Sequence, residues 1–339
     1  VNVPLFHVTA SIPLVLQSFA IGRKLVLMPK WDAEEAMRII EKERISYFVG
    51  VPLMSIELAT HPNRHKYDLT SCTAFAAGGA PRPVDHVKKI RKEMSWGYPL
   101  LGYGLTETNG VGCGNFTDNY LEKPTSTGPA TKPLVEVQML DDDGNVLPQG
   151  ERGEVGIRTI ANFNGYWNNE EATREAFTAD GFFRTGDIGE LDGEGYLRIT
   201  GRKKELIVTA GGKNVAPAVL EDRLRANPII SQCVVVGDNK PYIGALVTLD
   251  QDALPQILAA NNIESAPMSD LIQNADVRAL VQKAVNAANE AVSNSEAIKK
   301  FVILPEDLTI DNGYLTPKMS IRRHLIVQDF AGDIEGLYA

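Results

Sequence analysis

Short apolar runs alternating with amphipathic stretches in the first part of the chain leave few folds open. Residues 24–28 read as a strand and Asp32 as a helix N-cap, with Glu35 three residues on completing a capping box. Ala36, Ile39 and Ile40 fall on one face of the helix that follows, and a second strand is predicted over 45–49. Strand, helix and strand in that order favour an α/β architecture with a partly parallel sheet, because parallel neighbours need a crossover. From Val135 the pattern changes. Strands are predicted over 135–140, 153–158 and 196–200, with the turns Asp143-Gly144-Asn145 and Asp192-Gly193-Glu194-Gly195 between them, which describes a small β-rich subdomain. Past Thr200, helices over 217–226 and 270–294 and a strand pair over 232–236 and 243–249 describe a smaller α+β piece. The charged run Arg202-Lys203-Lys204-Glu205 separates the two, so the expected domains are 1–203 and 204–339.

Charge and cysteine usage narrow the function classes. The 34 basic and 43 acidic residues give a net charge of -9, which argues against sequence-independent nucleic-acid binding, since that needs a basic surface to neutralise phosphates. Cys72, Cys113 and Cys233 are scattered without a CxxC spacing, so neither a disulfide scaffold nor a zinc site is expected, and a reducing, cytoplasmic setting is. No apolar run reaches the length needed to span a bilayer; the stretch 12–21 is broken by Gln17 and Ser18. A peripheral contact with the inner face of a membrane stays open, as does the oligomeric state. The chain opens at Val1 with neither Met nor a basic leader, and is expected to be part of something longer.

Four clusters carry chemistry. Gly102-Tyr103-Gly104-Leu105-Thr106-Glu107-Thr108 puts a flat ring, two hydroxyls, close-approaching backbone and a carboxylate into seven residues. A ring can stack on a base, hydroxyls and backbone can hold a phosphate, and a carboxylate can hold Mg²⁺; an ordinary glycine turn after a strand weighs equally on the chemistry alone. Arg184-Thr185-Gly186-Asp187 offers an aspartate at a strand end able to accept from both ribose hydroxyls, against the alternative of a solvated turn with an Arg–Asp pair. Gly201-Arg202-Lys203-Lys204-Glu205-Leu206-Ile207, followed by Gly211-Gly212, suits a polyphosphate or phosphorylated carrier, or is a solvated face. Lys318 with Arg322 and Arg323 is a basic turn or a cation for chemistry.

In order along the chain, these segments resemble the adenylate-forming, AMP-binding superfamily, and within it the long-chain fatty-acid–CoA ligases. Pro4-Leu5-Phe6-His7 is similar to the family's early histidine motif, Gly78-Gly79-Ala80-Pro81 to its adenine-side loop, and residues 102–108 to its Tyr-Gly-x-Thr-Glu signature. Ser126-Thr127-Gly128-Pro129, Gly153-Glu154, Gly165-Tyr166-Trp167, Phe182-Phe183-Arg184-Thr185-Gly186-Asp187 and residues 201–207 follow in family order.

The resemblance implies the C-terminal part of a large AMP-binding domain with its β-rich subdomain, followed by a small mobile α+β domain. It implies ATP-dependent activation of a fatty acid to an acyl-adenylate and transfer to CoA, with Mg²⁺ as cofactor; loading of a carrier protein, or nucleotide binding without catalysis, are the alternatives. Tyr103 then stacks on adenine beside Gly78, Gly79 and Gly104, Thr106 contacts the α-phosphate, and Glu107 ligates Mg²⁺. Asp187 and Arg202 hold the ribose, and His7 borders the acyl carboxylate. Lys204 is the hinge, and Gly211 and Gly212 line the pantetheine path. Two departures stand out. The family's Ser/Thr/Gly-rich triphosphate loop has no match from Val1 onward, so the fragment alone is expected to be inactive. Where the family's catalytic lysine stands, three residues before the closing Arg323, this chain has Ser320; on an extended segment Lys318 points to the same side and is expected to substitute.

Overall fold

Strands Tyr47–Gly50 (β1), Ala74–Ala77 (β2), Tyr98–Tyr103 (β3) and Cys113–Asn115 (β4) form a sheet in the order β1-β2-β3-β4. The first three are parallel and β4 runs antiparallel to β3. Helices Pro52–Thr60 and Val84–Glu93 make the crossovers, and Ala33–Glu43 precedes β1. Met37, Ile40, Phe48, Ile56, Phe75, Ile90 and Met94 pack into one core. This is a computed structural model describing residues 3–79, 82, 84–316 and 321–339. The chain divides into two units, Val1–Ile199 and Thr200–Ala339.

Asp32 caps its helix, accepting from Glu35 N at 2.8 Å, but the box is half made: the Glu35 carboxylate turns to Arg38. Residues 24–28 form no strand. Their apolar side chains serve packing instead of a ladder, Leu25 against Leu14, Val49 and Ala76, and Met28 against the core around Phe48 and Phe75.

A second sheet consists of Gly128–Pro129 (β5), Val135–Leu140 (β6), Gly153–Thr159 (β7), Phe183–Leu191 (β8) and Tyr196–Arg202 (β9), in the order β5-β9-β8-β7-β6, and the boundary between the units falls within β9, after Ile199. Val135, Val137 and Met139 alternate inward over Val155, Ile157 and Leu197. One correction matters for function: Asp187 is not at a strand end. It lies inside β8, where Glu154 pairs with Ile188 and Gly156 with Arg184. Two steps along β7 thus face four along β8, and Thr185, Gly186 and Asp187 bulge from the ladder, with Gly186 at φ +72 supplying the left-handed turn.

In the second unit, Ile207–Val208 (β10) and Asn214–Val215 (β11) form a hairpin, and Ile230–Val236 (β12), Ile243–Leu249 (β13) and Ile298–Ile303 (β14) form a sheet with β13 central. Helices Pro217–Arg225 and Ala275–Asn289 bring Leu220, Leu224, Val281 and Val285 onto Cys233, Val235, Ala245 and Val247. The C-terminal helices bring Ile326, Ile334 and Leu337 onto Val234, Val236 and Leu246. Covered on both faces, β13 is buried at every residue. The helix expected over 270–294 is interrupted, because the Asn274 side chain accepts from Asp276 N and Val277 N and so starts a new helix at Ala275. Among the described residues no helix is long and apolar enough to cross a membrane.

Candidate active site

The turn after β3 is built on close backbone approach. A Cβ at Gly104 would stand 2.5 Å from the Gly110 carbonyl, so only glycine fits. Thr108, fully buried, ties the turn by accepting from Leu105 N at 3.0 Å and donating to Leu105 O at 3.2 Å. With Thr108 turned inward, Thr106 is exposed and Glu107 partly so. A Cβ at Gly110 would meet the Val8 side chain at 3.3 Å, and one at Gly78 would lie 3.5 Å from Gly102 O and 3.9 Å from Thr9 Cγ2. The start of the His7 helix, Gly78 and the turn 102–110 are therefore neighbours. His7 caps that helix, its Nδ1 accepting from Thr9 N at 3.2 Å. Gly79, at φ +78, takes a left-handed conformation beside it.

The structure joins two of the clusters directly. Tyr103 Oη donates to Asp187 Oδ2 at 2.6 Å, linking the end of β3 to the bulge in β8. Burial, and then the Asp187 charge, hold the Tyr103 phenol well above its usual range, so it stays a donor. The bulge has its own support. Glu154, 6% exposed, accepts from Arg184 Nη2 at 2.9 Å, Arg184 Nε at 3.2 Å and Gly186 N at 3.0 Å. Thr185 Oγ1 donates to Val155 O at 2.8 Å and accepts from Asp187 N at 3.1 Å. Arg184 pairs with Glu154 where the sequence suggested an Arg–Asp pair, and Asp187 Oδ2 accepts from Tyr103.

A second link is one that sequence reasoning missed. Tyr166 Oη donates to Glu107 Oε1 at 3.0 Å, and Phe163 N donates to Glu107 O at 2.7 Å. Tyr166 and Glu154 stand in motifs of the family series, yet neither carried an assigned role, because their partners lie 59 and about 30 residues away and only the tertiary fold brings them close.

Arg202, Lys204, Gly211 and Gly212 belong to the second unit. Arg202 ends β9 and Lys204 sits exposed in the 3-10 turn Lys203–Glu205. Gly211 and Gly212 are exposed in the β10–β11 loop, with Gly212 at φ +76 donating to Thr209 O at 2.8 Å. That loop is tied to a neighbouring turn by Ala210 N donating to Lys240 O at 2.9 Å. Arg323 is committed to structure, paired with buried Glu221 and donating to Val235 O at 2.8 Å. Lys318 lies outside the described residues. Of the residues on either side of it, Leu315 and Ile321 pair antiparallel and Arg322 N donates to Tyr314 O at 2.8 Å.

For the implied Mg²⁺, the donor set fits. Among the described residues no group of three or more His, Cys, Asp or Glu is arranged to hold a metal. Glu107 offers hard carboxylate oxygens at a partly exposed turn. One carboxylate completed by substrate phosphates is a usual Mg²⁺ environment.

Residues 1–167 match the AMP-binding enzyme family and residues 204–339 match the AMP-binding enzyme C-terminal domain. The chain is 47% identical over 270 residues to the long-chain-fatty-acid–CoA ligase FadD15 of Mycobacterium tuberculosis, covering 79% of this chain and 42% of that protein. It thus spans less than half the length of that relative. Among solved structures, ATP-bound MatB from Rhodopseudomonas palustris superimposes with a TM-score of 0.76 at 25% identity, over 97% of this chain and 59% of that one. The o-succinylbenzoate CoA synthetase MenE from Bacillus subtilis, in complex with its acyl-adenylate intermediate, shares the fold with a TM-score of 0.77 at 22% identity, over 96% of this chain and 60% of that one. Motif order, fold and both family matches agree, and the chain belongs to the adenylate-forming AMP-binding enzymes.

Proposed function

We propose that the full-length protein activates a long-chain fatty acid with ATP and passes the acyl group to CoA. In the first half-reaction a carboxylate oxygen of the fatty acid attacks the α-phosphorus and the bond to the β-phosphate oxygen breaks, releasing pyrophosphate. In the second, the CoA sulfur attacks the acyl carbon of the adenylate, AMP leaves, and the thiol proton is lost to solvent. The observation that carries the reading is the Tyr103–Asp187 hydrogen bond of 2.6 Å, which puts a ring for adenine and a carboxylate for ribose side by side from segments 84 residues apart. The substrate class follows the relatives at 47% and 35% identity, both long-chain-fatty-acid–CoA ligases by name.

Each residue then has a role. Tyr103 stacks on adenine, with Gly78, Gly79 and Gly104 letting backbone approach the nucleotide; Asp187 and Arg202 take the ribose hydroxyls. Thr106 donates to the α-phosphate and His7 borders the acyl carboxylate. Glu107 holds Mg²⁺, which when bound offsets phosphate charge during adenylation. Lys318 supplies the cation where carboxylate meets phosphate. Lys204 is the hinge at the 203/204 domain boundary, and Gly211 and Gly212 line the path of the CoA thiol. Product analysis on the full-length protein with fatty acid, ATP and CoA tests the reading. Acyl-CoA, AMP and pyrophosphate in equal amounts are expected, with acyl-adenylate and pyrophosphate but no thioester when CoA is left out. ADP as product, or an acyl group found only on a carrier protein, would overturn it.

A further inference from the structure

We infer that Tyr166 is a positioning residue for the metal ligand Glu107, and that through it the loop 160–167 sets the affinity for the divalent cation. This rests on the reading of Glu107 as that ligand. The loop grips Glu107 twice, by the Phe163 N bond to its carbonyl and by the Tyr166 hydroxyl on its carboxylate. Asn109 Nδ2, two residues past Glu107, donates to Ala161 O at 2.8 Å and fastens the same loop to the same turn.

The loop is built to hold that tyrosine. Tyr166 N donates to Thr173 Oγ1 at 2.9 Å, and Gly165 sits so close that a Cβ there would stand 2.7 Å from Thr173 Cγ2. The Tyr166 ring meets Phe163 edge-on at 4.8 Å, and Phe163 stacks on Phe177 at 5.5 Å and meets Phe183 edge-on at 5.6 Å. Phe183 begins the strand that carries Asp187.

A glutamate on a surface turn has free torsions, and a cation that selects one arrangement must pay for ordering it. The phenol removes that freedom beforehand. It uses one acceptor direction on Oε1 and leaves Oε2 for the cation, so Glu107 is set to bind through one oxygen. Mg²⁺ demands near-octahedral geometry and tolerates little misplacement of a ligand. Tyr166 itself is 40% exposed and outside the core, so Tyr166→Phe keeps the ring contact with Phe163 and loses only the bond.

The test uses the full-length protein with Mn²⁺ as the probe in the presence of ATP, read by electron paramagnetic resonance of the bound ion. Tyr166→Phe should raise the half-saturating Mn²⁺ by roughly 10-fold or more, the usual effect of losing a partner of a metal ligand. Its melting temperature and its AMP affinity in EDTA should stay at wild-type values, which a merely structural role would not allow. Wild-type Mn²⁺ binding by Tyr166→Phe, with binding lost in Glu107→Gln, overturns the inference and leaves Glu107 as ligand. Wild-type Mn²⁺ binding by Glu107→Gln overturns the ligand reading and the inference with it.

Discussion

Glu154→Gln keeps the size and one acceptor oxygen of a residue that touches no substrate in this account, but removes the charge that holds the β8 bulge. The carboxylate takes Arg184 Nη2 at 2.9 Å, Arg184 Nε at 3.2 Å and Gly186 N at 3.0 Å. Hydrogen bonds to charged groups are worth about 1.5–3 kcal/mol each. These three share one acceptor group and do not add, and removing one partner of a buried pair costs about 3–5 kcal/mol. Arg184 keeps its bond to Asp142 O at 3.1 Å and 22% side-chain exposure, which places the cost at the lower end. For a unit of this size, about 3 kcal/mol lowers the melting transition by about 6–12 °C. Because Gly186 N loses its charged acceptor, the bulge relaxes and Asp187 shifts, so AMP affinity should fall roughly 10-fold in protein that is still folded. Calorimetric melting and AMP titration of the full-length protein check both. A transition within about 2 °C of wild type, with AMP affinity unchanged, would refute the claim that Glu154 positions the ribose carboxylate.

Lys318→Ala should slow acyl-adenylate formation roughly 100-fold or more while leaving thioester formation from supplied acyl-adenylate nearly intact, since the cation acts only where carboxylate meets phosphate. Separate assays of the two half-reactions decide it; equal loss in both would move the role elsewhere. Alkaline conditions should destabilise the protein in a defined window. Burial pushes the Cys72 and Cys113 thiols from 9.0 up to about 12, so the folded state keeps protons that the unfolded state loses. Stability from these thiols is whole below pH 9 and falls toward pH 12, by up to about 1.4 kcal/mol per pH unit for each. Urea midpoints between pH 8 and 11 measure the slope, which Cys113→Ala should flatten; a midpoint independent of pH would contradict it.

What the sequence made legible was local. The Asp32 cap, the turn at Asp143-Gly144-Asn145 and the alternation over Val135–Leu140 each depend on a few adjacent residues, and each formed. Residues 24–28 have the apolar content of a strand, but composition does not say whether the backbone pairs or only the side chains pack. The 3.6-residue period runs on across Asn274, and only that side chain's bonds to two amides reveal the break. Strand Ile298–Ile303 was hidden by exposed Lys299 and Lys300. The couplings Tyr103–Asp187, Glu107–Tyr166 and Glu154–Gly186 were illegible for a different reason: each joins segments about 30 to 84 residues apart, the first and third at the β8 bulge and the second between a turn and a loop, which no spacing within one segment encodes.

The central claim is that the end of β3 and the bulge of β8 together hold the adenosine part of the nucleotide. Calorimetric titration of AMP into full-length wild-type and Asp187→Ala protein tests it most directly, since AMP needs neither metal nor fatty acid to report on that pocket. Loss of hydrogen bonds to a charged acceptor predicts weaker AMP binding by about 1.5–3 kcal/mol, and equal weakening of ATP. A folded Asp187→Ala protein that binds AMP as tightly as wild type would contradict the account.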